Sequence, residues 1–162
     1  MKKTQPVRKN GLFISIHVLY FHIFTSMQNE DYIKKQIDQF AKVVAAALAR
    51  LLKLKYDIGV QETVCYIQQE GVDPEIQDLL NTSTEQLRHK IEAGTIPVKS
   101  LPELIHFFIA ATEIHIEAND KRSARELYSK ATLAYDVFAR ESKSFDYELH
   151  LAIQNTKERL NG

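Results

Sequence analysis

The sequence predicts an all-α protein, a single-domain array or bundle of about six to seven helices. Three observations carry that expectation. The 162 residues include only five Gly and four Pro, too few for a turn-rich β protein. Apolar residues recur at alternating steps of three and four along most of the chain. Residues that cap helices stand just ahead of several of those runs. With 26 % charged and 44 % hydrophobic residues, the composition suits a soluble chain with one real core.

The first 26 residues do not resemble the rest. Lys2, Lys3, Arg8 and Lys9 precede an apolar run from Gly11 to Phe24. The pattern reads three ways: upstream sequence read through ahead of a true start at Met27, a signal-like leader, or a short membrane anchor. The run is shorter than the ~20 apolar residues a span needs and holds His17 and His22. Fold reasoning therefore starts at Met27, with residues 27–162 as one helical domain. Asn29 is placed to cap the first long helix, and Glu30 and Asp31 suit its positive end. Ile33, Ile37, Phe40, Val44, Leu48 and Leu51 mark its apolar stripe, and Lys53 and Lys55 close it. The run Ala45-Ala46-Ala47 lets a neighbour approach closely.

Asp57–Gln69 reads as a second helix through Val60, Thr63, Val64 and Ile67, ended by Gly71, although its β-branched content also suits a strand. Asp73-Pro74 opens a short helix through Leu80. Ser83-Thr84-Glu85-Gln86 offers a capping box for the next helix, which Gly94 ends. Residues 95–99 read as a linker, because Pro97 forces Ile96 out of helical geometry. Ser100-Leu101-Pro102-Glu103 offers a second capping box. The helix after it is apolar nearly all round, from Leu104 and Ile105 through Phe107, Phe108, Ile109, Ala111 and Ile114 to Ile116. Such a helix is covered by more than one neighbour. Asn119-Asp120 turns the chain and caps a helix with Ala124, Leu127, Tyr128, Ala131, Ala134, Tyr135 and Phe138 on its packing face. Ser144 is placed to cap a last helix whose Phe145, Leu149, Ala152, Ile153, Thr156 and Leu160 face inward.

Two resemblances follow from these residues. Small Ala124 and Ala131 around Tyr128 are similar to the second helix of a tetratricopeptide unit, so residues 100–160 look like one tetratricopeptide-like hairpin with a closing helix. Thr112 and His115 depart from that pattern on the first helix, and one unit alone cannot build the usual superhelical groove. Asp31-Tyr32-Ile33, with Ile37, Gln39-Phe40 and Lys42, resembles the opening of a bacterial domain-of-unknown-function family of small all-helical proteins. Phe40 and Ala41 depart from that family's Leu-Gly. The resemblance implies the fold from Met27 onward, brings no known activity with it and leaves function open.

Chemistry leaves fewer marks. No phosphate loop, dinucleotide fingerprint, nucleophile elbow or zinc-protease motif is present, so the sequence predicts a non-enzyme without cofactor. Glu103-Leu-Ile-His106 has di-iron spacing, but no second Glu-x-x-His exists, and the capping box already accounts for Glu103. Glu113 and Glu117 share a face that His115 does not, and Glu117 is expected to pair with Lys121. His115 reads as a core-edge residue and His150 as helix surface. The lone Cys65 has no activating neighbour and reads as a buried, inert thiol. Tyr128, Tyr135 and Tyr147 read as core packing with hydroxyls at the rim.

Net charge is zero, yet Met1–Tyr56 holds ten Lys and Arg against three Asp and Glu. The leading expectation is therefore a cytoplasmic helical scaffold that binds protein or peptide or itself. Its candidate surface is Ile33, Ile37, Phe40, Val44 and Leu48, together with Lys121, Arg122 and Arg125, which lead a polar face that includes Lys130. Those cations lack the interleaved aromatics of a nucleic-acid surface. The alternative is a membrane-peripheral accessory protein held by residues 1–26 and by Lys34, Lys35, Lys42, Arg50 and Lys53.

Overall fold

Between Gly11 and Gly59 the sequence has neither Gly nor Pro, so nothing local stops a helix there. In the computed structural model, which describes residues 10–69 and 71–162, helix α1 runs Asn10–Ile58 without a break. Asn29 is thus an interior residue and not the expected cap, and Met27 also lies inside α1. A capping residue starts a helix only where the chain before it is not already helical. The chain divides into two compact units, Met1–Gln36 and Ile37–Gly162. The basic start of the expected leader falls outside the described residues.

Six further helices follow, which among the described residues makes seven and no strand. Gly59, at φ +94°, breaks the chain before α2 (Val60–Gln68) in a backbone conformation that only glycine adopts without strain. The β-branched residues of α2 are helical all the same, because Thr63, Val64 and Ile67 all face the core. At its end the Gly71 amide donates to the Tyr66 carbonyl at 3.1 Å. A side chain at Gly71 would overlap the Tyr66 ring, which lies directly on its backbone.

The caps predicted for α3 and α4 are present. Asp73 accepts from the Glu75 amide ahead of α3 (Pro74–Asn81), with Pro74 in the first turn. Ser83 and Gln86 satisfy each other's backbone amides in a full capping box at α4 (Thr84–Glu92). Residues 95–99 are a packed corner, with Ile96 only 2 % exposed, leading into a 3-10 turn at Val98–Ser100. That turn removes the second predicted capping box. Ser100 already has φ −97° and ψ 0°, so its hydroxyl donates back to the Pro97 carbonyl at 2.7 Å and caps nothing.

α5 (Leu101–Glu117) is the centre of the core, as its all-round apolarity predicts. Leu101, Leu104, Ile105, Phe107, Phe108 and Ala111 are fully buried. Its buried Thr112 is satisfied by the Phe108 carbonyl at 2.7 Å. α6 (Lys121–Ser142) packs back on α5 after a short turn in which Asn119 takes the left-handed conformation at φ +61°. Ala124, Ala131 and Ala134 have no exposure, and their small size lets the two backbones approach. α2 and α7 also pack against α5, and α4 against α6.

α7 (Tyr147–Asn161) starts later than predicted. Lys143 at φ +51° redirects the chain, and Asp146, not Ser144, accepts from the Leu149 amide at 3.0 Å. Phe145 therefore precedes the cap and is 65 % exposed, while Leu149, Ile153, Thr156 and Leu160 face inward as expected. The Phe145 ring lies 5.1 Å from that of His150, the staple that often fixes a helix entry.

Candidate functional site

The predicted surface stripe on α1 is the inward face for much of its length. Val44 is fully buried, and Phe40 and Leu48 pack partly buried against the same core as Ala47 and Leu51. Val44 is thus a core residue and not a dimer seam. Ile37 is half-buried, and Ile33 is exposed. A long, regular apolar stripe marks the face that is buried, and here the chain's own core buries Val44.

The outward face of α1 carries a second pattern. Ala45, Ala49, Leu52 and Tyr56 are exposed and follow one another at steps of four, three and four. Leu52 is 51 % exposed and Tyr56 is 91 % exposed. Such spacing keeps a seam on one side of a helix, as in coiled coils. Separately, a hollow of about 330 Å³ is lined by Ile58, Gln61, Glu62, Cys65, Tyr66 and Gln69. The Arg50 guanidinium covers the Tyr66 ring at 5.1 Å. Cys65 is exposed, not buried, because it sits opposite the Val64 and Ile67 face of α2. Lys34, Lys35, Lys42, Arg50 and Lys53 are all exposed.

The polar side chains of α6 divide differently than predicted. Lys121, Arg122 and Arg125 are exposed, with no acidic partner among the described ion pairs. Lys130 is fully buried. Its ammonium donates to the Leu80 carbonyl in the last turn of α3 at 2.6 Å, where the helix dipole favours a cation. The Glu126 carboxylate, one turn earlier on α6, is 3.4 Å away. Burial pulls the Lys130 pKa below that of a free lysine, and Glu126 opposes the shift. The sequence signal was present: Leu127, Lys130 and Ala134 are spaced by three and four on one face.

Beside Lys130 a cavity of about 130 Å³ opens between α2, α3, α5 and α6, lined in part by Gln77, Asn81, His115, Ser123 and Glu126. His115 is 3 % exposed, deeper than a core edge. Its Nδ1 lies 3.1 Å from Asp120, which also caps α6 through the Ser123 amide. The Asp120 carboxyl is held below its usual pKa, chiefly by the hydrogen bond from Ser123. Gln77 is 8 % exposed, and its acyl oxygen is buried without a donor.

Elsewhere, Glu117 pairs with Lys55 at 2.7 Å and Arg159 at 3.4 Å, and not with Lys121. Glu113 also pairs with Arg159 and accepts from Thr156. These bonds join α1, α5 and α7 across the structure, a reach that helical spacing alone does not reveal. Tyr128 and Tyr135 are half-buried, whereas Tyr147 is 65 % exposed. His150 is half-buried, close to the Tyr135 hydroxyl and to Phe145. Glu103 is half-buried and His106 exposed. Among the described residues no three His, Cys, Asp or Glu come together to hold a metal ion, and no helix is long and apolar enough to cross a membrane.

No family model, curated protein or solved structure matches the chain.

Proposed function

We propose that this chain is a non-enzymatic helical scaffold that associates with a second copy of itself through the outward face of α1. The observation that carries the reading is the exposed stripe Ala45, Ala49, Leu52 and Tyr56, which ends in a 91 % exposed tyrosine. A two-fold contact needs one patch that is complementary to itself. Leu52 and Tyr56, exposed on one face of α1, supply the apolar part of such a patch. The alanines allow the two helices to approach closely.

Lys42, Arg50 and Lys53 are exposed on the same helix, so two copies repel each other at low salt. Association tightens as salt screens that repulsion. Sedimentation of the full chain up to about 1 mM tests the reading at low and high salt. The wild type is expected to dimerise, more strongly in salt. Leu52→Glu and Tyr56→Glu together should leave a monomer with unchanged helical circular dichroism. Val44→Asp, by contrast, places a charge in the core and should unfold the chain. A wild type that stays monomeric throughout overturns the proposal, as does a double variant that still dimerises.

A further inference from the structure

We propose that a cavity between α1, α3 and α4 is a binding site for a small organic amine, a protonated nitrogen on a short arm that carries an aromatic or branched apolar body. The cavity has a volume of about 460 Å³. Phe40, Pro74, Leu79 and Ile96 make its apolar wall, and Glu75, Asp78 and Lys90 its charged rim. Phe40 is half-buried and Pro74 exposed, so both offer apolar surface to a ligand. A cleft of this size, apolar with a few charged groups, has the usual form of a small-molecule site. The alternative occupant, a partner helix, fits poorly. α3 has only eight residues, about 12 Å of helix, too short to seat the successive turns by which a helix anchors in a groove.

The charge of the rim selects the ligand. Glu75 and Asp78 stand three residues apart on α3, so their carboxylates share one side of the helix. Asp78 is paired with the Lys90 ammonium through one of its two oxygens. Glu75 has no cationic partner among the described ion pairs. Asp73, the cap of α3, adds a third negative charge close by. Nor does α1 supply a cation, since the residues one turn from Phe40 on its side of the helix include Ile37, Val43 and Val44. Lys90 alone therefore does not balance the rim. An ammonium between Glu75 and Asp78 relieves their mutual repulsion, while its apolar body covers Phe40 and Pro74. The Asp78 side chain is 64 % exposed, so water screens the pairing and the charge adds a preference of only a few-fold. None of these residues belongs to the stripe of Ala45, Ala49, Leu52 and Tyr56, so ligand binding and self-association are separate properties.

Methyl resonances of Leu79 and Ile96 and the amide of Asp78, followed by NMR in the full chain at neutral pH, report on the cavity. Phenethylamine is titrated beside phenethyl alcohol, which lacks the charge, phenylacetate, which reverses it, and ethylamine, which lacks the ring, all at matched ionic strength. The expected result is a saturable shift by phenethylamine with a Kd on the order of 1 mM. It should bind about threefold more tightly than the alcohol, and phenylacetate should bind more weakly than either. Ethylamine should not saturate the site. Glu75→Gln should remove most of the preference for amine over alcohol, and Glu75→Lys should reverse the order in favour of phenylacetate. Both changes fall on an exposed side chain, and unchanged circular dichroism checks that the fold is kept. Glu148→Gln, at an exposed acid on α7, should bind as wild type does. Equal binding of amine and alcohol would overturn the proposal, as would saturation by ethylamine at the same concentration. So would an unchanged order of ligands in Glu75→Lys, or no saturable shift at Leu79 and Ile96.

Discussion

Replacing Lys130 separates the charge of a buried amine from the packing of its stem. The side chain is fully buried, with Leu80 and Glu126 as its partners. Lys130→Met keeps most of the stem and removes the ammonium. What is lost is one charge-assisted hydrogen bond, about 1.5–3 kcal/mol. What is relieved is the cost of holding a cation out of water, several kcal/mol in a protein interior. The lowered pKa of Lys130 says that in the folded chain burial outweighs the pull of Glu126. The two effects should therefore nearly cancel, leaving Lys130→Met within about 1 kcal/mol of wild type at neutral pH. Lys130→Ala also loses about three methylene groups at ~0.8 kcal/mol each and leaves a cavity, for a total of about 3–4 kcal/mol.

The charge has a second signature. Because the folded pKa lies below the ordinary lysine value of 10.5, the folded chain releases this proton before the unfolded chain does. Between the two values the unfolded state binds more protons, so stability rises with pH. Urea unfolding followed by circular dichroism, from about pH 7 to pH 9.5, should show wild type gaining on Lys130→Met. The upper limit avoids tyrosine ionisation, since Tyr128 and Tyr135 are both pushed above 10.0 by burial while unfolded tyrosines are not. A loss of 3 kcal/mol or more in Lys130→Met, or parallel pH curves for the two proteins, would refute the reasoning.

Two further outcomes follow from polar contacts elsewhere. Glu117→Gln weakens the ties to Lys55 and Arg159; with these side chains 31 % to 42 % exposed, the loss should be only about 0.5–1 kcal/mol and vanish near 1 M salt. The Lys55 hydrogen bond is the main cause of the lowered Glu117 pKa. The stabilisation is present above the ordinary glutamate value of 4.5 and is lost as pH falls through the folded value, which thermal melts at graded pH would reveal. Asp120→Ala removes the cap of α6 and the His115 contact, costing about 1–2 kcal/mol. Faster hydrogen exchange at the Ser123 and Ala124 amides should accompany it, and unchanged exchange would place the cap elsewhere.

Local chemistry was the legible part of the fold. Asp73, Ser83 with Gln86, and Asp120 all cap as written, because each signal is complete within a few residues. The all-round apolarity of α5 identified the core helix for the same reason. Ser100 and Ser144 carried similar signals and failed, since the turn before the first and the left-handed Lys143 before the second fix the backbone otherwise. The candidate sites were less legible because residue type overruled position. Lys130 occupies a core position by spacing but reads as surface by charge. Ala45, Ala49, Leu52 and Tyr56 form a shorter pattern than the stripe through Val44, and only burial shows which of the two is left facing water. Pairs such as Glu113 with Arg159 depend on how α7 returns to α5, which no local pattern encodes.

The α5–α6 hairpin also sets an order of events when the chain folds. Its partners are separated by a very short turn, so bringing them together costs little loop entropy. The His115–Asp120 contact spans only five residues and forms with that turn. Lys55 and Glu117 are 62 residues apart, and Lys130 and Leu80 are 50 apart. Contacts of such long range are expected to close after the hairpin exists. Weakening them should speed unfolding and leave the folding rate nearly unchanged, whereas damage at Ala124 or Ala131 should slow folding itself, which stopped-flow refolding and unfolding of each variant would check.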